Sequence, residues 1–144
     1  MQYCFRIWLP LLCGLICVVS GCGERDRSVV PVSGVVKLDD KPLAGAIVAF
    51  VPMMQEGYAV GVASKGETDA NGHFSLTTTD DRSGALVGEH SVRISTFKGR
   101  PIKGSESVDV VTPEKVPARY NNDTQLHFKV PEQGTDKADF DLKP

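Results

Sequence analysis

The chain has 144 residues, 41% hydrophobic and 24% charged, with a formal charge of −2. One domain fits that length with little left over, and the near-neutral balance argues against a polyanion-binding protein. With 14 Gly and 9 Pro against 7% aromatic residues, turns are many and stacking platforms few.

All four cysteines, Cys4, Cys13, Cys17 and Cys22, fall at the N-terminus, so they read as part of a leader and not as a disulfide framework. Met1 and Arg6 give a weakly positive start, and residues 7–19 are apolar apart from Pro10 and Gly14. That stretch is shorter than the roughly 20 residues needed to cross a hydrocarbon core of about 30 Å. It ends Val19-Ser20-Gly21-Cys22, a branched apolar residue and two small ones before a nucleophilic thiol. This segment resembles the lipobox of bacterial lipoproteins. The resemblance implies a signal peptide over residues 1–21 and lipidation of Cys22, with an ordinary signal peptide or an uncleaved anchor as alternatives. Two or more acyl chains such as palmitate hold a protein stably, at about 0.8 kcal/mol per buried methylene. Gly23 follows Cys22 where inner-membrane lipoproteins often have Asp, so the resemblance implies the outer membrane or cell surface. Cleavage leaves no cysteine for a disulfide or a thiolate metal site, and the exported domain must rest on its hydrophobic core.

Residues 22–28 then form a lipidated cysteine and a short polar tether, about 20 Å at full extension. Residues 29–144 form the domain, and their punctuation by Gly, Pro, Asp and Asn predicts short strands throughout. The first strand is 32–38, turning at Asp39-Asp40-Lys41-Pro42, where a type I turn is expected. The second, 46–52, is apolar on both faces and reads as a central strand. Residues 53–58 are a loop and 60–68 a weaker strand. Asp69-Ala70-Asn71-Gly72 is a strong turn signal, since Asn and Gly tolerate positive φ and Asp bonds its own backbone.

Residues 73–77 return with Phe74 and Leu76 inward, and 80–87 form a loop with a short helical turn. The clearest alternation spans 88–97, with Val92 and Ile94 inward and Arg93 and Ser95 outward. Residues 98–125 read as long and irregular apart from a strand at 107–111, because Pro113 and Pro117 oppose a helix. Strands at 126–130 and 138–142 close an all-β, seven- to eight-stranded antiparallel Greek-key sandwich.

Two passages sharpen this. Val32-Ser33-Gly34-Val35-Val36-Lys37-Leu38 with Lys41-Pro42-Leu43-Ala44-Gly45-Ala46-Ile47-Val48, and Thr68-Asp69-Ala70-Asn71-Gly72-His73-Phe74-Ser75-Leu76, resemble the opening hairpins of carboxypeptidase regulatory-like domains. Gly88-Glu89-His90-Ser91-Val92-Arg93-Ile94 resembles their next strand, which often carries an aromatic where His90 stands. The resemblance implies a transthyretin-like (prealbumin-like) sandwich. It covers residues 32–97 well and the remainder loosely, and it specifies architecture without specifying function.

Chemistry is sparse. Asp69 and Asn71 echo a calcium loop, but Phe74 and Leu76 stand where later oxygen ligands belong. His73 and His127 read as outward and His90 as lying at the rim of the core, with no zinc spacing among them; no metal and no cofactor are expected. No Gly-x-Ser-x-Gly elbow is present, and Asp39-Asp40 and Asp80-Asp81 are neighbours in turns, not carboxylates across a cleft. No catalytic residue is assigned. Lys98, Arg100 and Lys103, joined by Arg93, form a basic loop that could meet lipid head groups or an anionic polymer. Trp8 is lost with the leader, leaving Tyr58 and Tyr120 as candidate sugar platforms, the latter read mainly as a packed anchor. The expected function is a non-catalytic envelope lipoprotein acting as a structural or protein-interaction module. The partners are the membrane, through the lipid, and other envelope proteins, with no nucleic acid. A carbohydrate- or polymer-binding module is the alternative, and a hydrolase the more distant one.

Overall fold

A computed structural model describes residues 28–54 and 61–144. Cys22, the leader and Tyr58 lie outside the described residues. In chain order the strands are β1 (Val29–Val30), β2 (Ser33–Leu38), β3 (Lys41–Pro42), β4 (Ile47–Pro52), β5 (Ser64–Glu67), β6 (His73–Ser75) and β7 (Thr77–Thr78). There follow β8 (Ala85–Leu86), β9 (Gly88–Ser95), β10 (Lys98–Pro101), β11 (Val108–Thr112), a 3-10 turn at Ala118–Tyr120, β12 (Leu126–Val130) and β13 (Phe140–Leu142).

The protein is all-β. One sheet runs β12-β9-β4-β5-β7, and the other is built on β2, with β13 on one side and β6 and β3 along the other. The inward residues of both sheets meet in one core. Val48 and Phe50 of β4, Val92 and Ile94 of β9, Val36 of β2 and Leu142 of β13 are all buried there. Phe140 interleaves the layers, with its ring centroid 6.1 Å from Phe50, 6.0 Å from Phe128 and 6.4 Å from Phe74. This aromatic cluster is the contact that makes two sheets into a sandwich.

The expected central strand is β4, paired with both β5 and β9. Its outer face, however, is only half covered: Val51 is 43% exposed. The turn after β2 differs from expectation. Asp39 and Asp40 have φ of 53° and 60°, which is type I′ geometry and not type I. The right-handed twist of a two-residue hairpin favours the mirror-image turn, even at the cost of placing non-glycine residues at positive φ.

The Asp69 turn forms as expected. Asp69 Oδ1 accepts from the amides of Asn71 and His73, and Gly72 takes φ of 78°. The following segment is not one strand. It breaks at Leu76, so that β6 pairs with β2 while β7 pairs with β5; a chain that changes sheets needs such a bend. The loop expected at 80–87 contains β8, which pairs with β1, and no helical turn. β13 runs parallel to β2, a direction that residue alternation does not encode. His90, expected at the rim, is fully buried beside Phe50, at 5.6 Å between ring centroids. Phe128 of β12 stands opposite it in the ladder, and its ring packs edge-on to Phe50 at 5.6 Å.

Candidate functional site

The largest departure from the sequence reading is at 98–125. β10 and β11 pair antiparallel as a separate two-stranded arm. Residues 99–111 are all exposed. Val-Asp-Val-Val-Thr in β11 has strong β propensity, whereas Lys-Gly-Arg-Pro in β10 has little. Pairing with β11 therefore makes the second strand.

A carboxylate fastens the base of the arm. Glu114 Oε1 accepts from Thr96 N at 3.0 Å, Thr96 Oγ1 at 3.0 Å and Val116 N at 2.9 Å, while Oε2 accepts from Ser95 Oγ. Partial burial raises its pKa, but these donors outweigh burial and hold the carboxyl at about 2. Nothing in the local sequence signals this role. Glu114 stands between Pro113 and Lys115 and meets its donors only after the chain has doubled back.

The arm is two-sided. In the register Gly99↔Val110, Arg100↔Asp109 and Pro101↔Val108, directly opposed residues share a face. One face carries Gly99, Pro101, Val108 and Val110, and the other carries Arg100, Asp109 and Val111, which is also 54% exposed. A Cβ added at Gly99 would meet the Phe97 ring at 3.2 Å and Val108 Cβ at 3.4 Å. The missing side chain thus lets the Phe97 ring extend the apolar face. Phe97, Val108 and Val110 are 41%, 51% and 54% exposed.

The basic cluster is divided. Lys98 Nζ lies 2.6 Å from Glu67 Oε1. Arg93 donates from Nε to the Asn121 carbonyl and from Nη2 to Asn122 Oδ1, both at 3.1 Å. Arg100 and Lys103 belong to the arm, in β10 and in its terminal turn. Tyr120 packs against the core, with the Arg119 guanidinium 4.8 Å from its ring centroid and its hydroxyl accepting from Lys143 N at 3.3 Å. Hydrogen bonding from Arg119, then from the Lys143 amide, lowers the tyrosine pKa. That is the geometry of an anchor between the 3-10 turn and the C-terminus.

On the outer face of the larger sheet, Ile47, Lys65, Gly66 and Glu67 line an open depression of about 250 Å³, smaller than ordinary small-molecule sites. Among the described residues, no group of three or more His, Cys, Asp or Glu side chains is placed to hold a metal ion. Among them, too, no helix is long and apolar enough to cross a membrane.

No family model, curated protein or solved structure matches this chain. The arm is the surface whose exposure the packing of the domain does not explain, and it is the candidate site.

Proposed function

We propose that this chain is a non-catalytic lipoprotein of a bacterial envelope, anchored through Cys22, whose carboxypeptidase regulatory-like sandwich is a protein-interaction module. The observation that carries the reading is the exposed apolar face of the β10–β11 arm. Contiguous apolar surface on a soluble domain marks a contact site, and here it sits on a ribbon fastened at its base by Glu114.

The position of the arm supports the same reading. Val87 N donates to the Ser28 carbonyl at 2.9 Å, so the tether enters beside the start of β9. The eight residues of β9 then carry the chain about 25 Å to the end from which the arm leaves. A short tether at one end and an apolar arm beyond the other suit a module that presents a contact surface away from its attachment. The Val19-Ser20-Gly21-Cys22 segment supports the lipid anchor and an outer-membrane or surface location.

Two measurements test this. Metabolic labelling with a palmitate analogue is expected to mark the wild-type chain and not Cys22→Ser; an unlabelled wild type would overturn the anchor. Photo-crosslinking from Val110 in intact cells is expected to yield a protein adduct, and the lack of any adduct would overturn the interaction module.

A further inference from the structure

We infer that the apolar face of the arm docks onto the same face of a second copy of this chain, in a two-fold pair with parallel strands. This occupant presupposes the arm as an interaction surface and goes beyond that reading by naming what covers it.

Charge selects the partner. At the end of the apolar face Lys103 stands on the β10 side of the turn and Glu106 on the β11 side, whereas Arg100 and Asp109 lie on the opposite face and Lys98 is paired with Glu67. Stack two such ribbons by their apolar faces, and only two arrangements keep two-fold symmetry with the strands aligned. An axis across the strands sets β10 over β10, Lys103 against Lys103 and Glu106 against Glu106. An axis along the strands sets each β10 over the partner's β11, with Lys103 near the partner's Glu106. The second is self-complementary in charge.

The same residues argue against other occupants. The tip, Lys103-Gly104-Ser105-Glu106, is polar and charged, with Ile102 at its base 45% exposed, and the other apolar side chains lie along the flank. Inserting the arm into lipid would bury its charged end first. Strand addition along the β10 edge meets Pro101 and two cations, a protected edge.

The contact is small. About five residues from each copy cover less than the roughly 800 Å² per partner of a standard interface. The pair is therefore weak in dilute solution and populated where copies are concentrated, as on one membrane. Confinement there raises the effective concentration, and an axis along the strands sets both tethers at the same end.

The test uses the full chain in cells, with a photo-crosslinking residue at Val110 and a second, differently tagged copy co-expressed. An adduct containing both tags is expected, reduced at least tenfold by Val108→Lys. Thermal unfolding of that variant should match wild type, since Val108 is half exposed. Lys103→Glu and Glu106→Lys should each weaken the self-adduct several-fold when present in both copies. Pairing one variant with the other should restore it. An adduct with some other protein but none between copies overturns the second-copy assignment and leaves the interaction module standing; no adduct of any kind overturns both. Undiminished crosslinking with Lys103→Glu in both copies overturns the proposed axis.

Discussion

Glu114 and Thr96 are joined twice: Glu114 Oε1 accepts from the Thr96 amide and from the Thr96 hydroxyl, each at 3.0 Å. The residues are 18 apart in sequence, and the arm lies between them. One carboxylate thus closes the base of a ribbon that, as two strands alone, would be marginal in water.

Replacing Glu114 with Ala is expected to cost about 1–2 kcal/mol, because several charge-assisted hydrogen bonds are lost at a site still open to solvent screening. The loss should be concentrated in the arm. Amide hydrogen exchange at residues 97–112 is expected to speed up more than exchange in β4 or β9, and uniform acceleration would contradict the latch.

The same carboxylate makes stability depend on pH. Its pKa is lowered from 4.5 to about 2 in the folded chain, so its contribution is fully present above pH 4.5. It is lost as the pH falls through 4.5 toward 2. Denaturant unfolding of wild type and Glu114→Ala should show a gap in stability at pH 6 that narrows steadily below pH 4. A gap that stays constant to pH 2 would exclude the ionised carboxylate as its source.

Phe140 bridges the layers through the Phe50 and Phe128 rings, stacks on Phe74 within its own sheet, and is only 8% exposed. Phe140→Ala removes that bridge and leaves a cavity, with an expected loss of about 3–5 kcal/mol. Urea unfolding should show the midpoint falling sharply. A change under about 1 kcal/mol would mean that the sheets are held together elsewhere.

Thr68 is buried, and its hydroxyl donates to the Leu43 carbonyl at 2.6 Å while accepting from the Ala46 amide at 2.8 Å. Thr68→Val keeps the shape but orphans two backbone groups. The expected cost is about 2 kcal/mol, read as a lower unfolding midpoint, whereas Thr68→Ser should retain most of the stability.

The Asp39-Asp40 turn offers the opposite sign. Both residues sit at positive φ, where a side chain costs about 1–2 kcal/mol. Asp40 also meets Lys143 Nζ at 2.9 Å, but both side chains are largely exposed, so that pair adds little. Asp40→Gly is expected to raise the melting temperature by a few degrees, and a fall would mean that the Lys143 contact outweighs the backbone strain.

Much of the sandwich was legible before any coordinates. Val92 and Ile94, and Phe74 and Leu76, alternate with outward residues, and each of these pairs is buried; 46–52 is apolar on both faces, and only the structure shows that the Val48 and Phe50 face is the buried one. The candidate site was only half legible. β11 announced itself through its valines, but β10 carries no apolar period and exists because β11 lies beside it. Tyr120 packs against the core, and Lys98 and Arg93, grouped in the sequence as one basic surface, each have partners of their own, Glu67 for the first and Asn121 and Asn122 for the second.

Features that depend on near neighbours are legible in the amino-acid order alone: alternating faces, the Asp69–Gly72 turn and the segregation of every cysteine into the first 22 residues. Those follow from side-chain size, backbone freedom and periods of two, all settled within a few residues. Only the tertiary structure decided what depends on distant ones. β13 runs parallel to β2, more than a hundred residues earlier in the chain; His90 is buried beside Phe50; and Glu114 ties down an arm whose apolar face is left open. Alternation states which side chains share a face, but the direction of a neighbouring strand and the donors around a carboxylate are set by where the chain returns.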